Sequence, residues 1–399
     1  MILSNYVELN PRVALARDTQ VPFVGMDVVE PGTRWVFPAQ QRPASGSGSK
    51  FAPGDTLFAR ITPCLENGKI AQYAGERPGM GSTEFFVLRA RVGISDPGYV
   101  YYFSQSEDLR SAAEKSMSGA SGRQRAAITS LSEFECEFPP INVQRRIAGI
   151  LSAYDELIEN SQRRIKILEA MARALYREWF VHFRFPGHEA VPLVTTPLGE
   201  IPEGWEVRKL PECIHLNPRI TVPRDGEKPF VPMGCLSNDS MIISNIGSRT
   251  GNSGAKFQNG DSLFARITPC LENGKTGFVQ FLPNATSFAF GSTEFIVLRS
   301  RTLTPEFVYC LARSEDFRGI AIKSMSGATG RQRVQEQCFS DFQIAQPPRA
   351  LLERFSSIVG PSFRLIYQLD LEVQNLRRTR NLLLPRLLSG QIDVEAISA

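Results

Sequence analysis

The sequence contains few of the residues from which catalytic and metal sites are usually built. Its three histidines are His182, His188 and His215, and they form no cluster. Its seven cysteines include no Cys-x-x-Cys pair, so no zinc site of the common spacing is indicated. An odd number of cysteines without a signal peptide predicts reduced thiols and a cytoplasmic protein.

Signatures of several other protein classes are also missing. No apolar run approaches the roughly 18 to 20 residues that a membrane-spanning helix needs, and no Gly-x-x-x-x-Gly-Lys-Ser/Thr phosphate loop occurs. Asn10-Pro11-Arg12 and Asn217-Pro218-Arg219 begin like the Asn-Pro-Pro-Tyr motif of amino-methyltransferases but lack the second proline and the aromatic residue. No glycine-rich cofactor loop accompanies them. We therefore expect a chain that catalyses no reaction and binds no cofactor or metal by itself.

The composition is that of an ordinary globular protein. Hydrophobic residues make up 42% and charged residues 22% of the chain, which is typical of folded domains. A length of 399 residues allows two or three domains, each with its own core. The formal net charge of +4 permits a polyanionic partner without requiring one.

The dominant feature of the sequence is a duplication. GDTLFARITPCLENGK at 54–69 returns as GDSLFARITPCLENGK at 260–275, an offset of 206 residues (260 − 54). Two further blocks repeat in the same order, 81–91 as 291–301 and 115–125 as 323–333. A repeated unit of about 200 residues is a domain rather than a solenoid repeat. The chain is expected to present the same kind of surface twice.

A long heptad pattern follows each copy of the domain. Apolar residues recur at alternating spacings of four and three, which is typical of a coiled-coil seam. The seam residues are Ile147, Leu151, Ile158, Ile165, Leu168 and Leu175 in the first pattern and Leu352, Val359, Ile366, Leu369, Val373 and Leu376 in the second. Pro361 should kink or restart the second helix. Arg380, at the place that Ala172 holds in the first pattern, interrupts the second seam.

The predicted fold class is mixed α/β, with two repeated domains joined by two long helices that pack as an antiparallel coiled coil. The expected boundaries are 1–140 for the first domain, 141–187 for the first long helix, 188–205 for a proline-rich linker, 206–348 for the second domain, 349–392 for the second long helix and 393–399 for a tail. In the first domain we expect strands at 21–24, 57–61, 85–89 and 134–138, a turn at 67–69, and a helix at 99–115.

Polar residues that recur in both copies are the candidates for a binding site. Arginine, asparagine and glutamine read base edges, serine, threonine and lysine suit phosphates, and glycine lets the backbone approach a phosphate. The candidates are Arg60, Thr62, Asn67, Lys69, Ser82, Thr83, Ser118, Arg123, Gln124 and Arg125 in the first copy and Arg266, Thr268, Asn273, Lys275, Ser292, Thr293, Ser326, Arg331, Gln332 and Arg333 in the second. We expect the four arginines at 123, 125, 331 and 333 to contact phosphates. A solvated turn with surface arginines stays open as the alternative.

Cysteine catalysis is a second alternative, because Cys64 and Cys270 occupy equivalent places. A nucleophilic cysteine needs a base, usually histidine. None of the histidines lies in a repeated block, which favours a small buried apolar role for both cysteines.

Over essentially its whole length the chain resembles the DNA-specificity (S) subunits of type I restriction–modification systems. The resemblance rests on the repeated domains with their long helices, and on INVQRRI at 141–147, PLGEIPEGW at 197–205 and LPRLLSGQI at 384–392. The chain departs from the family pattern at its beginning, where no PEGW-like lead precedes the first domain. It departs again at 349–352, where the usual glutamine-containing entry to the second helix is missing.

The resemblance implies a function that fits the residues. In that family, two target recognition domains each bind one half of a bipartite DNA site, and the helices fix their separation. Two modification subunits supply S-adenosylmethionine and adenine-N6 methylation, and two restriction subunits use ATP and Mg for translocation and cleavage. Antiparallel helices would relate the two domains by a twofold axis, so the same base-reading residues would face opposite strands. The resemblance therefore implies a partly palindromic target. A bivalent DNA-binding scaffold without a methyltransferase partner stays open.

Overall fold

The computed structural model describes residues 1–16, 19–120, 122–328 and 330–396, and its contacts divide the chain into two compact units. Unit 1 comprises Met1–Glu159 and Gln374–Ala399, and unit 2 comprises Asn160–Val373. The boundaries at 159/160 and 373/374 fall inside the two long helices, so each unit contains a segment of both helices.

Unit 1 contains two sheets. Its strands are β1 (Val7–Leu9), β2 (Gln20–Val24), β3 (Trp35–Val36), β4 (Gln40–Pro43), β5 (Ser49–Phe51), β6 (Thr56–Ala59), β7 (Ile70–Tyr73), β8 (Gly79–Gly81) and β9 (Phe85–Ala90). One sheet has the order β1-β9-β6-β7-β3, and the other has the order β4-β2-β8-β5. The strands expected near 21–24, 57–61 and 85–89 are confirmed as β2, β6 and β9.

The central strand β6 is apolar along its length because both of its faces are buried. Successive side chains of a strand point to opposite faces of the sheet. Leu57 therefore packs in one core with Phe51 and Val87, whereas Phe58 packs in another core with Phe86. This second core also receives the helices of the domain.

Two expectations for unit 1 were wrong in detail. The helix expected at 99–115 is two helices: the first ends at Ser104, and Ser106 caps the second by accepting a hydrogen bond from the Leu109 amide at 3.4 Å. The segment 134–138 forms no strand but a single bridge between Glu135 and Ile2. The short helices of this unit are α1 (Pro97–Ser104), α2 (Glu107–Lys115) and α3 (Thr129–Ser132).

Unit 2 repeats this architecture with additions. Its strands are β10 (Leu193–Thr196), β11 (Gly199–Pro202), β12 (Glu206–Lys209), β13 (Ile214–Leu216), β14 (Lys228–Val231), β15 (Gly247–Arg249), β16 (Ala255–Phe257), β17 (Ser262–Ala265), β18 (Thr276–Phe278), β19 (Ala289–Gly291), β20 (Phe295–Ser300) and β21 (Gln343–Gln346). The orders β13-β20-β17-β18 and β15-β14-β19-β16 match those of unit 1, except that, in the described part of unit 2, no strand of the first of these sheets corresponds to β3. Its helices are α5 (Leu210–Cys213), α6 (Pro305–Arg313) and α7 (Glu315–Lys323).

The segment 188–205, expected as a linker, is more ordered than its proline content indicated. It contains the β10–β11 hairpin, and Gly199 provides the turn with a φ of +94°. Ile201 and Trp205 are buried in the core of unit 2. These apolar side chains, rather than the backbone, fix the segment to its domain.

Two 40-residue helices, α4 (Ile141–Phe180) and α8 (Arg349–Leu388), run through both units. A helix of that length spans about 60 Å. In unit 1 the seam residues Ile147 and Leu151 share a core with Leu387. In unit 2 Ile165 shares a core with four seam residues of α8, which are Leu352, Val359, Ile366 and Leu369.

The helix segments of unit 1 run antiparallel. Asn142 hydrogen-bonds Glu395 just beyond α8, and further along α4, Asp155 pairs with Arg380. The partner number falls as the α4 number rises, which is the order of antiparallel helices. The predicted antiparallel pairing is therefore observed in this unit, whereas the predicted supercoil stays a prediction.

Arg380 does not weaken the seam as its charge suggested, because its environment supplies charge and hydrogen-bond partners. Its guanidinium pairs with Asp155 and donates to the Gly32 carbonyl at 3.0 Å. The Tyr102 hydroxyl donates to the other Asp155 oxygen at 2.5 Å. Burial raises the pKa of Tyr102, so this hydroxyl keeps its proton.

The pair has no counterpart at the equivalent positions of the two helices, where Phe363 on α8 replaces Asp155 and Ala172 on α4 replaces Arg380.

The restart expected at Pro361 is not observed, since α8 is continuous from Arg349 to Leu388. A proline within a helix deprives the carbonyl four residues earlier of its donor. That residue is Ser357, and both Ser357 and Pro361 lie on the exposed side of α8. Water can therefore hydrogen-bond to the freed carbonyl, and the buried face stays intact.

Across the part of the chain that the structure describes, no helix combines the length and the apolar character that crossing a bilayer requires.

We predict that Ile165→Asp destabilises the full chain strongly. Ile165 is 5% exposed, and loss of such a side chain from a core costs about 2–5 kcal/mol, to which an unpaired carboxylate adds. Ile167→Asp is the matched control, because Ile167 is 51% exposed on the same helix. Urea denaturation should show a lower midpoint for the first variant only. Equal midpoints for both variants would contradict the packing of this seam.

Candidate nucleic-acid interface

In each unit a buried ion pair connects two of the repeated blocks. Asp55, 2% exposed, precedes β6 and accepts two hydrogen bonds from Arg89 on β9, at 2.8 and 2.6 Å. Asp261 and Arg299 make the same two bonds in unit 2, at 2.7 and 2.6 Å. A bidentate pair fixes both position and orientation. The strands that carry the candidate residues at their ends are thereby held in one register.

The repeated glycine-containing segment, which we call the basic loop (118–125 in unit 1 and 326–333 in unit 2), is bonded to the strand end beside it. In unit 1 the Gln124 amide donates to the Thr62 hydroxyl at 3.0 Å, and the Thr62 amide donates to the Gln124 carbonyl at 3.0 Å. Ser118 and Arg125 exchange two backbone bonds. Thr62 and Ser118 thus hold the loop in place.

The basic loop of unit 2 has the same bonds. The Gln332 amide donates to the Thr268 hydroxyl at 3.0 Å, and Ser326 and Arg333 exchange two backbone bonds. Ser121 and Thr329 lie outside the described residues.

Glu84 is the charged centre of the site in unit 1. Arg125 forms a bidentate pair with it, the shortest contact being 2.6 Å, and Arg60 donates to it at 3.2 Å. The hydrogen bonds from Arg125, with a smaller contribution from Arg60, lower the pKa of Glu84, so it is ionised at neutral pH. The Ser82 hydroxyl accepts from the Glu84 amide at 3.2 Å and shapes the turn that presents the carboxylate.

The corresponding cluster of unit 2 has a different partition of charge. Glu294 pairs with Arg333 at 2.7 Å, but Arg266 turns away and pairs with Glu336 at 3.0 Å. The place of Glu336 is held by Ile128 in the first copy, so Arg60 finds no second carboxylate there. The difference between Ile128 and Glu336 thus gives Arg266 a partner that Arg60 lacks, although the sequence around the two arginines is nearly identical. The Ser292 hydroxyl accepts from the Glu294 amide at 3.1 Å, as Ser82 does in unit 1.

A cationic cleft lies next to this cluster in each unit. In unit 1 the cleft has a volume of about 590 Å³ and is lined by Arg12, Lys50, Arg60 and Thr83. The cleft of unit 2, about 600 Å³, is lined by the equivalent Arg219, Lys256, Arg266 and Thr293. Arg60 and Arg266 are ion-paired, but the other two cations of each cleft form no ion pair among the described residues, so each cleft attracts phosphates.

The Asn-Pro-Arg motifs build one wall of these clefts. Asn10 and Asn217 have φ values of +48° and +47°, a conformation that asparagine tolerates better than most residues. Their side-chain oxygens accept from the amides of Val87 and Val297 at 2.9 Å. The motif is thus a turn that directs the following arginine to the cleft.

The remaining candidates are not brought into the cluster. The Lys69 ammonium donates to the Met26 carbonyl at 2.7 Å, and that of Lys275 donates to the Met233 carbonyl at 3.2 Å. Asn67 lies in the turn before β7 and borders a separate recess beside Arg110. Asn273 is exposed in the equivalent turn. The predicted turn at 67–69 is observed, with Gly68 at a φ of +68°.

Sequence reasoning missed four cleft residues as candidates: Arg12, Lys50, Arg219 and Lys256 lie outside the nearly identical blocks. The signal was present, because Lys50-Phe51 and Lys256-Phe257 recur at the same offset as the longest block. The Asn-Pro-Arg motif, which also recurs in both copies, is a second such signal.

The geometry does not support the cysteine alternative. Within the residues that the structure describes, neither the Cys64 nor the Cys270 thiol is hydrogen-bonded to a histidine, and both thiols are free and half-buried rather than fully buried as expected. Among the described residues, no group of three or more His, Cys, Asp and Glu side chains could hold a metal ion.

Comparisons with known proteins agree with the predicted resemblance. A family model described as the type I restriction modification DNA specificity domain matches residues 70–170. The MjaIX specificity subunit of Methanocaldococcus jannaschii, a type I restriction enzyme subunit, is 27% identical over 316 residues, which cover 75% of this chain and 70% of the relative. The EcoEI specificity subunit of Escherichia coli is 33% identical over 187 residues, 44% of this chain and 30% of the relative.

A solved structure shares the fold. The crystal structure of a type I restriction–modification system S subunit from M. genitalium covers 97% of this chain and 95% of its own, with a TM-score of 0.55 and 14% identity. The prediction of mixed helix and sheet with two repeated domains and two long helices is confirmed.

We predict that Arg89→Ala destabilises the protein by about 3 kcal/mol, which is the lower end of the range for breaking a buried ion pair. The lower value is expected because only Asp55, 2% exposed, is fully buried, whereas Arg89 is 30% exposed. Asp55 would stay buried without its partner. Arg77→Ala, which removes an exposed arginine, should change stability by no more than about 0.5 kcal/mol. Thermal unfolding measures both. If the two variants unfold at the same temperature, the pair does not hold the strands.

Proposed function

We propose that this chain, which belongs to the DNA-specificity subunits of type I restriction–modification systems, binds one half of a bipartite DNA target with each repeated domain. As a specificity subunit, it is not the catalytic part of such a complex. Methyl transfer and cleavage would be carried out by partner subunits.

The recurrence of one polar surface carries this proposal. Both units present a cationic cleft of nearly equal volume next to a basic loop bonded in the same way. Phosphate contacts position a protein on duplex DNA, while groups in the grooves read the bases. The clefts supply cations for the first task. The loops supply further cations for it and, through exposed arginines and the half-buried Gln124 and Gln332, donors for the second.

The chemistry is assigned to partners. An adenine must leave the base stack before its exocyclic amine can be methylated, so a subunit that grips the flanking duplex would serve a separate methyltransferase. We propose that two modification subunits bring S-adenosylmethionine, and that two restriction subunits bring ATP and Mg. The cytoplasm, where chromosomal DNA is accessible in bacteria and archaea, is the proposed location.

Apolar side chains on the exposed sides of the long helices support a docking role. Leu157 on α4 is 52% exposed, and Leu365, at the equivalent place on α8, is 39% exposed. Burial of a leucine side chain in an interface removes apolar surface from water and so favours binding. We propose that one modification subunit covers each of these leucines.

The central test is the pattern of DNA methylation in cells that express the chain with its modification subunit. We expect methylated adenines at one bipartite site, one per half and on opposite strands, with halves that share inverted bases because the domains share their readers. Cells that express the chain alone should show no methylation. Two half-sites that share no inverted base beyond the methylated adenine would contradict the proposal that equivalent residues of the two domains read the same bases. DNA binding without any associating methyltransferase would favour the bivalent scaffold instead.

We also predict that Leu157→Glu combined with Leu365→Glu weakens assembly with the modification subunits. Full burial of a leucine side chain is worth about 1.5–3 kcal/mol, so co-purification should fall at least about tenfold for the pair. The melting temperature should not fall, because both leucines are exposed. Lys166→Glu is the control, since nine residues (166 − 157) place it on the opposite side of α4. Unchanged assembly in the double variant would exclude this docking surface.

A further inference from the structure

The two arginines of each basic loop differ in their electrostatic surroundings. Arg125 donates from Nε to both Glu84 oxygens at 3.0 Å and from Nη2 to Oε1 at 2.6 Å. Arg333 and Glu294 repeat the arrangement at 3.0, 3.0 and 2.7 Å. Both arginine side chains are 46% exposed, whereas the glutamates are 18% and 22% exposed. Each glutamate side chain is therefore less exposed to solvent than the arginine that it pairs with.

Arg123 and Arg331, two residues earlier, have no such carboxylate. Both are exposed, and within the described part of the chain neither forms an ion pair. Each follows a glycine with positive φ, +79° at Gly122 and +80° at Gly330. Such a backbone can approach a phosphate closely. These two arginines retain the full charge that attracts a phosphate.

A guanidinium paired with a carboxylate is suited to a different ligand. The adjacent negative charge offsets its attraction for a phosphate, because the pair as a whole is neutral. The guanidinium still has donors, since two of its five N–H groups face the carboxylate and three remain. Neutral acceptors such as guanine O6 and N7 accept two parallel N–H bonds from an arginine. A guanidinium that a carboxylate already holds in place also loses less side-chain entropy when it binds a base.

We propose that Arg125 and Arg333 read a base, most simply guanine in the major groove, and that Glu84 and Glu294 orient them, whereas Arg123 and Arg331 contact phosphates. The proposal rests on the proposed DNA-binding function. It differs from the expectation from the sequence, in which all four arginines contact phosphates, by giving two of them a base-reading role. Glu84 and Glu294 are positioning residues here, since they act through the arginines.

Unit 2 offers the cleaner test, because Glu294 pairs with Arg333 alone, whereas Glu84 also pairs with Arg60. The full chain, with its modification subunits if binding requires them, is incubated with a duplex library of randomised sequence. Two quantities are measured for each variant: the base preference at every position of the half-site, and the slope of log affinity against log salt concentration.

Arg333→Ala should lower the preference for one base by about 5- to 150-fold while changing the salt slope little. Arg331→Ala should keep the preferences and reduce the slope by about 1. Lysine separates the roles further: Arg331→Lys should keep the parent slope, whereas Arg333→Lys should lose the base preference because it lacks the fork.

Glu294→Gln tests the positioning role with little change of shape. It should weaken the base preference and steepen the salt slope by up to about 1, since Arg333 is then free to contact a phosphate. A merely structural glutamate would not steepen the slope. Melting temperatures establish that each variant is folded.

Two results would overturn the assignment while leaving the proposed function intact. One is an Arg333→Ala variant with unchanged base preferences, and the other is an Arg333→Lys variant that recovers them. A parent chain that binds no duplex, with or without modification subunits, would refute the proposed function and this assignment together.

Discussion

A buried carboxylate held by an arginine on the neighbouring strand is the interaction on which each recognition surface depends. Asp55 with Arg89, and Asp261 with Arg299, join β6 to β9 and β17 to β20 next to the strand ends that carry the cluster. Arg60 directly follows β6, and Glu84 directly precedes β9. A shift of one strand by one residue would separate these two side chains and leave a carboxylate buried without charge compensation. The ion pair therefore couples the register of the sheet to the geometry of the site.

Apolar patterning is the part of the fold that the sequence could predict. Strands β6 and β9 were predictable as short apolar runs because both of their faces are buried, and the helical seams were predictable because their apolar residues follow the period of a helix. Residues 134–138 were predicted wrongly, because their aromatic rings pack inward from a loop: Phe134 packs edge to face against Phe103, and Phe138 stacks on Tyr6. Propensity cannot distinguish a loop that buries aromatic rings from a strand that does.

The candidate site was predictable as a set of repeated letters but not as a set of roles. Nothing local indicates that Lys69 donates to the Met26 carbonyl. Nothing local indicates that Glu84 pairs with Arg125, because these partners are 41 residues apart. Arg60 and Arg266 sit in almost identical sequence yet pair differently, and the difference comes from Ile128 and Glu336. Such assignments depend on tertiary neighbours.

The Asp155–Arg380 pair also limits how halves of this duplicated chain can associate. If the first domain and its helix paired with a second copy of themselves, Ala172 would take the place of Arg380. Each Asp155 would then be buried without a guanidinium, a loss of about 3–5 kcal/mol. Two copies of the second half would instead bring Arg380 against Phe363. Self-association of like halves is thus disfavoured on both sides, and the duplicated halves have become complementary rather than interchangeable.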